Sequence, residues 1–334
     1  MTPPRAGVVL QGAYPPAEFA SMVERIERLG YDNLWLTDSS LHARNAYAYL
    51  TLAATRSSAL QLGTAVTNPR TRHPAITAVA AATVDEISEG RMVLGIGPGD
   101  RPLLALGFRP AKLASVRSSI AAIRALWAGE TVTVEDQAFT LHEAQMRVGV
   151  RPDIPIYVSA SGPKMLELSG EIADGVIVLV GLFADGLSWA IEHIERGATA
   201  AGRARPHIAV FAYGAIDEDE DAALEAARTI AAWFPQTAPV VCELWGLEPA
   251  LVEAVRRAYR GGEFQEAAAA ASLLPDDFVR EVALAGGRDH ARGRIDAALA
   301  AGADSVHVFP LGQRRMETIE AFAKCFRDVV GVRA

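Results

Sequence analysis

Short apolar runs alternate with amphipathic helical patterns along most of the chain. Runs of this length are typical of parallel strands that are buried on both faces, and the segments between them repeat apolar residues at helical spacing. Eight runs with intervening helices predict an α/β fold, the (β/α)8 TIM barrel. The predicted strands are Gly7 to Leu10, Leu34 to Leu36, Leu60 to Val66, Met92 to Ile96, Ile154 to Ser159, Gly175 to Val180, Ile208 to Tyr213 and Ser305 to Phe309.

Two segments depart from this alternation. Residues 131–134 and 139–141 have strand character and flank a polar turn, which predicts a small hairpin inserted at about 130–145. An Ala-rich helical stretch at 266–271 lies between two Gly-Gly pairs. It predicts a helical insertion at 235–287, after the seventh strand. We therefore expect a single domain over residues 1–334 with two insertions.

Composition excludes several classes of function. The formal net charge of −8 argues against a surface that binds nucleic acid. The only two cysteines, Cys242 and Cys325, lack ligand-like spacing, so we expect a reducing compartment and neither a disulfide framework nor a metal site. No signal peptide and no run of membrane-spanning length is recognised. We expect a soluble, cytoplasmic protein that acts on a small molecule.

Two polar, Gly-rich segments follow the third and fourth predicted strands. They are Gly63–Pro74 and Gly95–Asp100. In α/β proteins such turns lie at the carboxyl ends of strands, where ligands bind, so the two segments predict one shared site. Asp100 follows a flexible Gly-Pro-Gly turn. It is either an acid or base near a reacting carbon or an ordinary turn residue.

Asp38 directly follows the second predicted strand. A carboxylate there can hydrogen-bond a heterocycle or hold a proton donor in place, and capping of the next helix is an equally good interpretation. Three further side chains are candidates for substrate contact, namely His42, Arg44 and His73. Each is equally compatible with a purely structural place in a loop or turn.

The turn from Ser159 to Pro163 contains the elements of an anion site. Ser159 and Ser161 offer hydroxyls, Gly162 permits close backbone approach, and a helix begins just beyond. Free backbone N–H groups and the helix dipole favour a phosphate at such a place. The alternative is an ordinary strand-to-helix turn with Pro163 at the first helical position.

With these residues in view, the chain resembles the luciferase-like superfamily of flavin- and deazaflavin-dependent oxidoreductases. It is most similar to the branch that contains methylenetetrahydromethanopterin reductase. The resemblance covers roughly the first half of the chain in the expected order. The matching pieces are Leu34–Asp38, Gly63–Pro74, Gly90–Asp100, Pro155–Leu166 and Ala173–Gly175.

The resemblance implies a tricyclic redox cofactor in the mouth of a barrel, with its phosphate at the 159–163 turn. It also implies a cis peptide bond between Ala65 and Val66, catalytic roles for Asp38 and Asp100, and a homodimer. Ser39 stands where many deazaflavin members carry a His. The positions implied to bind the cofactor are Asp38, Ala65, Val66, Asn68, Gly97, Ser159, Ser161, Gly162 and Pro163.

Three functions are compatible with this resemblance. The first is a coenzyme F420-dependent oxidoreductase that transfers a hydride between the deazaflavin C5 and a small organic substrate. The second is an FMN-dependent monooxygenase or reductase, and the third is a non-catalytic barrel that binds a flavin. The details of Thr67–Pro69 and Gly97–Asp100 favour F420. The Ala- and Arg-rich composition is typical of a high-GC organism, so methylenetetrahydromethanopterin itself is not the expected substrate.

Overall fold

A computed structural model describes residues 3–260 and 267–333. Contacts divide the chain into two compact units. The N-terminal unit comprises Val9–Ser159 and Glu171–Val176. The C-terminal unit comprises the described residues within Met1–Val8, Ala160–Gly170 and Ile177–Ala334.

Nine of the eleven strands belong to one sheet, in the order β10-β9-β11-β1-β2-β3-β4-β7-β8, and an additional pairing joins β8 to β9. The strands are β1 (Arg5–Gln11), β2 (Asn33–Thr37), β3 (Gln61–Thr64), β4 (Met92–Ile96), β5 (Val132–Glu135), β6 (Thr140–Ala144), β7 (Ile156–Ala160), β8 (Gly175–Val178), β9 (His207–Ile216), β10 (Leu284–Gly286) and β11 (Ser305–Pro310).

The strand order confirms the predicted TIM barrel. Parallel pairs run from β2 through β3 and β4 to β7, and from β1 through β11 to β9. The β8–β9 pairing completes the ring of eight strands, and helices connect most successive strands. The ninth strand, β10, is short and pairs in parallel with the end of β9, where Leu284 is opposite Gly214.

Fifteen helices are present in the described residues. They are α1 (Pro16–Arg28), α2 (Ala46–Ala54), α3 (Pro74–Ile87), α4 (Arg101–Ala105), α5 (Leu113–Trp127), α6 (Pro163–Ile172), α7 (Ala184–Ala200), α8 (Glu220–Ala231), α9 (Phe234–Thr237), α10 (Pro239–Trp245), α11 (Pro249–Ala258), α12 (Ala268–Ala271), α13 (Asp276–Val282), α14 (Arg288–Ala300) and α15 (Arg315–Arg333). In the two described ranges, no helix combines the length and the apolarity that crossing a membrane requires.

All eight predicted strands are observed, with β3 ending at Thr64 rather than at Val66. The predicted hairpin is also observed, as the antiparallel pair β5–β6. Helices α9 to α13 lie almost entirely within the predicted helical insertion, although residues 261–266, which include the first residue of its Ala-rich stretch, lie outside the described residues. The prediction missed β10 at the end of this segment. The organisation as a single domain stays a prediction.

Bulky side chains fill the interior of each unit against glycines on neighbouring strands. In the N-terminal unit Trp35 of β2 lies opposite Gly63 of β3, and a Cβ at Gly63 would overlap the indole ring. A Cβ at Gly175 would likewise overlap the ring of Tyr157. In the C-terminal unit His307 of β11 lies opposite Gly7 of β1 in the same manner. These glycines are therefore required by packing.

Candidate active site

The carboxylate of Asp38 lies at the centre of a polar cluster in the N-terminal unit. Thr67, from the turn after β3, donates its hydroxyl to Asp38 Oδ2 over 2.9 Å. Arg72 donates from Nε to Oδ2 over 3.3 Å and from Nη2 to Oδ1 over 3.2 Å. The Asp38 side chain is only 8% exposed. The turn after β3 thus closes over the end of β2 through a two-pronged ion pair.

The capping interpretation of Asp38 is tested by the cap of the next helix. The next helix, α2, is capped by Asn45, whose side chain accepts hydrogen bonds from the main-chain nitrogens of Tyr47 and Ala48. Asp38 is therefore not the N-cap of that helix. The capping alternative is excluded, and a role of the Asp38 carboxylate in cofactor binding or catalysis stays a prediction.

Tyr47, in the first turn of α2, completes the cluster. Arg72 Cζ lies 4.7 Å from the centroid of the Tyr47 ring, within the range of a cation–π contact. Burial, followed by the negative charge of Asp38, raises the pKa of Tyr47, and Arg72 and the nearby hydroxyls of Thr67 and Thr77 oppose this shift. Among the described residues, none forms a hydrogen bond with the Tyr47 hydroxyl.

The backbone between β3 and the turn is irregular. The peptide bond between Ala65 and Val66 is cis, as the resemblance implied. Ala65 N donates to Leu36 O over 2.7 Å, and Thr67 exchanges main-chain hydrogen bonds with the end of β4 at Gly95 and Gly97, over 3.0 and 2.9 Å. The segment is consequently fixed on both sides by neighbouring strands.

The structure brings together three of the predicted cofactor-binding positions. A Cβ at Gly97 would lie 3.0 Å from Val66 Cγ2 and 3.4 Å from Ser159 Cβ. Gly97 therefore allows the ends of β3, β4 and β7 to approach closely at their carboxyl termini. These termini are where ligands bind in this fold.

Asn68 organises the turn itself. Its side-chain oxygen accepts hydrogen bonds from the main-chain nitrogens of Arg70 and Thr71 over 3.0 and 2.9 Å. The side chain is buried, and its nitrogen forms no hydrogen bond with a described residue. Gly99, with a φ of 80°, packs its backbone against Asn68, where a Cβ would contact the amide carbon at 3.2 Å.

Asp100 occupies a different environment from Asp38. It is exposed and immediately precedes α4, and its main-chain oxygen accepts a hydrogen bond from Leu103 N over 3.0 Å. The described residues that hydrogen-bond Asp38 are Thr67 and Arg72, so the two aspartates are not hydrogen-bonded to one another. A catalytic role for Asp100 stays a prediction.

The end of the 159–163 turn lies in the C-terminal unit. Gly162 O accepts from Met165 N and Leu166 N over 3.1 and 3.0 Å, and α6 begins at Pro163, the predicted first helical position. A Cβ at Gly162 would have no neighbour within 4 Å, so the backbone there is open. The Ser161 hydroxyl forms no hydrogen bond with a described residue.

Arg44 and His73 have structural contacts. Arg44 Nη1 donates to the main-chain oxygens of Ala13 and Tyr14 over 2.7 and 3.1 Å. His73 caps α3 by accepting from Ala75 N at Nδ1, and its Nε2 lies 3.0 Å from Thr140 O. Both nitrogens of the His73 ring are therefore engaged.

His42 differs from these two residues because its side chain is exposed. Its main-chain nitrogen donates to Ser39 O over 3.2 Å. Contact between the substrate and His42, Arg44 or His73 stays a prediction.

Sequence reasoning missed Arg72 and Tyr47 as members of the site. Arg72 lies in the turn that was singled out, and its charge was the available signal. Tyr47 lies nine positions after Asp38 with no distinguishing pattern. Its place in the site depends on the packing of α2 beside the turn, where the Tyr47 ring contacts Arg72.

Comparison with known proteins agrees with this geometry. Residues 1–305 match the model of a family described as luciferase-like monooxygenase. The chain belongs to this family. It is 34% identical over 331 residues to the 5,10-methylenetetrahydromethanopterin reductase of Methanolobus tindarius, a match that covers 97% of this chain and 99% of that protein.

Further family members carry names that include a cofactor. The F420-dependent glucose-6-phosphate dehydrogenase of Kineococcus radiotolerans is 31% identical, over 66% of this chain and 70% of its own length. The structure of the coenzyme F420-dependent tetrahydromethanopterin reductase from Methanopyrus kandleri superposes with a TM-score of 0.84 at 29% identity, covering 97% of this chain and 98% of that one. The luciferase-like chain is accordingly an oxidoreductase.

Proposed function

We propose that this oxidoreductase uses coenzyme F420 and transfers a hydride between the deazaflavin C5 and a small organic substrate. The observation that carries the proposal is the likeness to the Methanopyrus kandleri enzyme, whose name includes F420, over 97% of the chain. The glucose-6-phosphate dehydrogenase relative is likewise named as F420-dependent. A Baeyer–Villiger monooxygenase solved in complex with FMN resembles this chain only in fold, at 18% identity.

In the N-terminal unit, several polar atoms suit the ring of such a cofactor. Asp38 offers an acceptor, and the Asn68 side-chain nitrogen and the buried Thr37 hydroxyl have no described partner. A ring edge with N–H and carbonyl groups needs donors and acceptors of this kind. The open Gly162 backbone and the Ser161 hydroxyl, at the start of α6, suit a phosphate.

Each residue then has a definite task. Ala65, Val66 and Gly97 provide the backbone surface for the ring, and Asp38 and Asn68 hydrogen-bond its polar edge. Ser159, Ser161, Gly162 and Pro163 hold the phosphate. Bound F420 supplies the hydride chemistry, while the protein orients the reactants and excludes water. Asp100 exchanges a proton with the substrate.

A visible-absorbance titration of the apoprotein with F420 and with FMN tests this proposal. We expect saturable binding of F420, with FMN at least about tenfold weaker. A yellow protein that retains FMN, or oxygen uptake with a supply of reduced flavin, would instead identify an FMN-dependent monooxygenase. Failure to bind either cofactor would contradict both functions.

Ser161→Asp refines the titration. A carboxylate in the turn would repel the cofactor phosphate, so we expect F420 affinity to fall about fivefold or more. The matched control is Ser188→Asp on the exposed face of α7 in the same unit, which should leave the affinity unchanged. Equal effects of the two substitutions would place the phosphate elsewhere.

We also propose that the protein is a homodimer. Helix α3 exposes large apolar side chains along one face, with Ile76 58%, Val79 46% and Ile87 41% exposed. Such a stripe is unusual on a monomeric surface. Light scattering should give twice the chain mass for the wild type and the chain mass for Val79→Glu. A monomeric wild type would contradict this proposal.

A further inference from the structure

The hydrogen bonds of Asp38 are unevenly distributed over its two oxygens. Oδ2 accepts from Thr67 Oγ1 and Arg72 Nε, whereas Oδ1 accepts from Arg72 Nη2 alone. A carboxylate has about four acceptor positions. Since no other described residue bonds Asp38, one position on Oδ1 is left.

Arg72 is itself held in place. Its side chain is 21% exposed, and its guanidinium carbon lies 4.7 Å from the Tyr47 ring centroid. A planar guanidinium that rests on an aromatic ring while donating two bonds to one carboxylate fixes the plane of that carboxylate. Because the Thr67 hydroxyl donates to Oδ2, both acceptor positions of Oδ2 are filled and the remaining position lies on Oδ1.

We propose that Arg72 is a positioning residue that fixes Asp38 as a charged acceptor, whose remaining position on Oδ1 receives one N–H or O–H of the bound cofactor. This inference rests on the proposed function and deepens it. Because Asp38 accepts all three of these hydrogen bonds, its role in this proposal is that of an acceptor that orients the cofactor. Arg72 itself does not touch the cofactor.

A double-mutant cycle in cofactor affinity tests this inference. We expect Asp38→Asn and Arg72→Met each to weaken F420 binding about tenfold or more, because each disrupts the same charged hydrogen bond. If Arg72 acts through Asp38, the double variant should bind no more weakly than the worse single variant. An effect near the product of the two single effects would show that Arg72 contacts the cofactor itself, and would overturn the inference.

Arg72→Lys provides the conservative comparison. Lysine keeps the positive charge but cannot form the two-pronged bond, so we expect an affinity between those of the wild type and Arg72→Met. Affinity in Arg72→Lys as low as in Arg72→Met would assign the effect to carboxylate geometry and support positioning. Full retention of affinity in Arg72→Met would overturn it.

Thermal unfolding of the apoproteins separates positioning from general damage. Arg117→Met is the matched control, because Arg117 also forms a two-pronged pair, with Glu171, at an exposed place in the same unit. It should leave F420 affinity unchanged. If Arg72→Met alone fails to fold, the cycle continues with Arg72→Lys and the double variant, in which no carboxylate is left without a counter-charge.

The two proposals fail in different ways. A wild-type protein that binds neither F420 nor its reduced form contradicts the proposed function, and the inference with it. A wild type that binds F420 normally, combined with additive effects in the cycle, contradicts the positioning role alone.

Discussion

Two ion pairs of the N-terminal unit have nearly the same chemistry at opposite ends of the strands. Asp38 pairs with Arg72 just after β2, and Asp85 of α3 pairs with Arg151 beside the beginning of β4. Each carboxylate is almost fully buried, at 8% and 5% exposure. Each is bound by Nε and Nη2 of one arginine and accepts one further hydrogen bond.

The third hydrogen bond distinguishes the two pairs. Asp85 Oδ1 accepts from the main-chain nitrogen of Met92, the first residue of β4, over 3.2 Å. The Asp85 pair therefore links a helix to the amino end of a strand. Asp38 accepts instead from a hydroxyl of a turn at the carboxyl end, where this fold binds ligands. Burial and ion pairing of a carboxylate thus do not by themselves indicate a ligand site. Its position at the carboxyl end of a strand, rather than at the amino end, is the distinguishing feature.

Arg151→Met should produce the largest effect. It leaves the buried Asp85 without its counter-charge, so we expect the free energy of unfolding in urea to fall by about 3 kcal/mol. This is the low end for a broken buried pair, because Arg151 is itself 32% exposed. F420 affinity of the folded variant should remain unchanged. A change in affinity as large as that of Arg72→Met would remove the distinction between the two pairs.

The pH dependence of stability adds a third polar cluster, in the C-terminal unit. His207 and His307 both approach the Ser305 hydroxyl, at 2.9 and 2.7 Å from their Nε2 atoms. Burial is the main cause that lowers the pKa of each, and for His307 the lowering is large. The folded state therefore holds both rings neutral where the unfolded chain binds protons.

The sign of the effect follows from these lowered pKa values. Stability is fully present above the unfolded histidine pKa of about 6.5 and is lost as the pH falls below it, by up to about 1.4 kcal/mol per pH unit for each ring. Urea unfolding at roughly pH 7.5, 6.0 and 5.0 measures the slope around the unfolded histidine pKa, and His207→Asn should reduce it. A slope unaffected by that substitution would assign the acid sensitivity to other groups.

Tyr47→Phe should have the smallest effect. The Tyr47 hydroxyl is buried without a hydrogen bond among the described residues, so its removal costs little, within about 0.5 kcal/mol of unfolding free energy. The ring remains in contact with Arg72, so F420 affinity should also be retained. A loss above about 1 kcal/mol would show that Thr67 or Thr77 accepts a hydrogen bond from this hydroxyl in solution.

The strands were readily predicted because a strand buried on both faces must be a continuous apolar run. Leu34–Leu36 and Met92–Ile96 fulfil this condition without ambiguity. The three residues of β10, Leu284–Gly286, are too few for periodicity to distinguish them from the helices before them. The irregular backbone at Ala65–Val66 could be anticipated only by resemblance, since no side-chain pattern encodes it.

The site was less predictable than the fold. Asp38 and the turn after β3 stood out because polar residues follow apolar strands. The partner of Asp38 did not, because Arg44 lies shortly after Asp38 while Arg70 and Arg72 both lie in the turn after the third predicted strand, and the sequence does not distinguish among them. Only the folded structure shows that the three guanidinium groups have different partners. Arg44 binds main-chain oxygens, and Arg70 lies over the Phe108 ring.

The glycines that face bulky interior side chains have a consequence for engineering. The Trp35 side chain occupies the space that a side chain at Gly63 would need, and the Tyr157 ring does the same at Gly175. Enlarging the smaller partner alone causes overlap, and trimming the larger alone leaves a void. Libraries aimed at new substrates should therefore exchange such residues in couples or leave them fixed, and concentrate diversity in the turns beyond the strand ends.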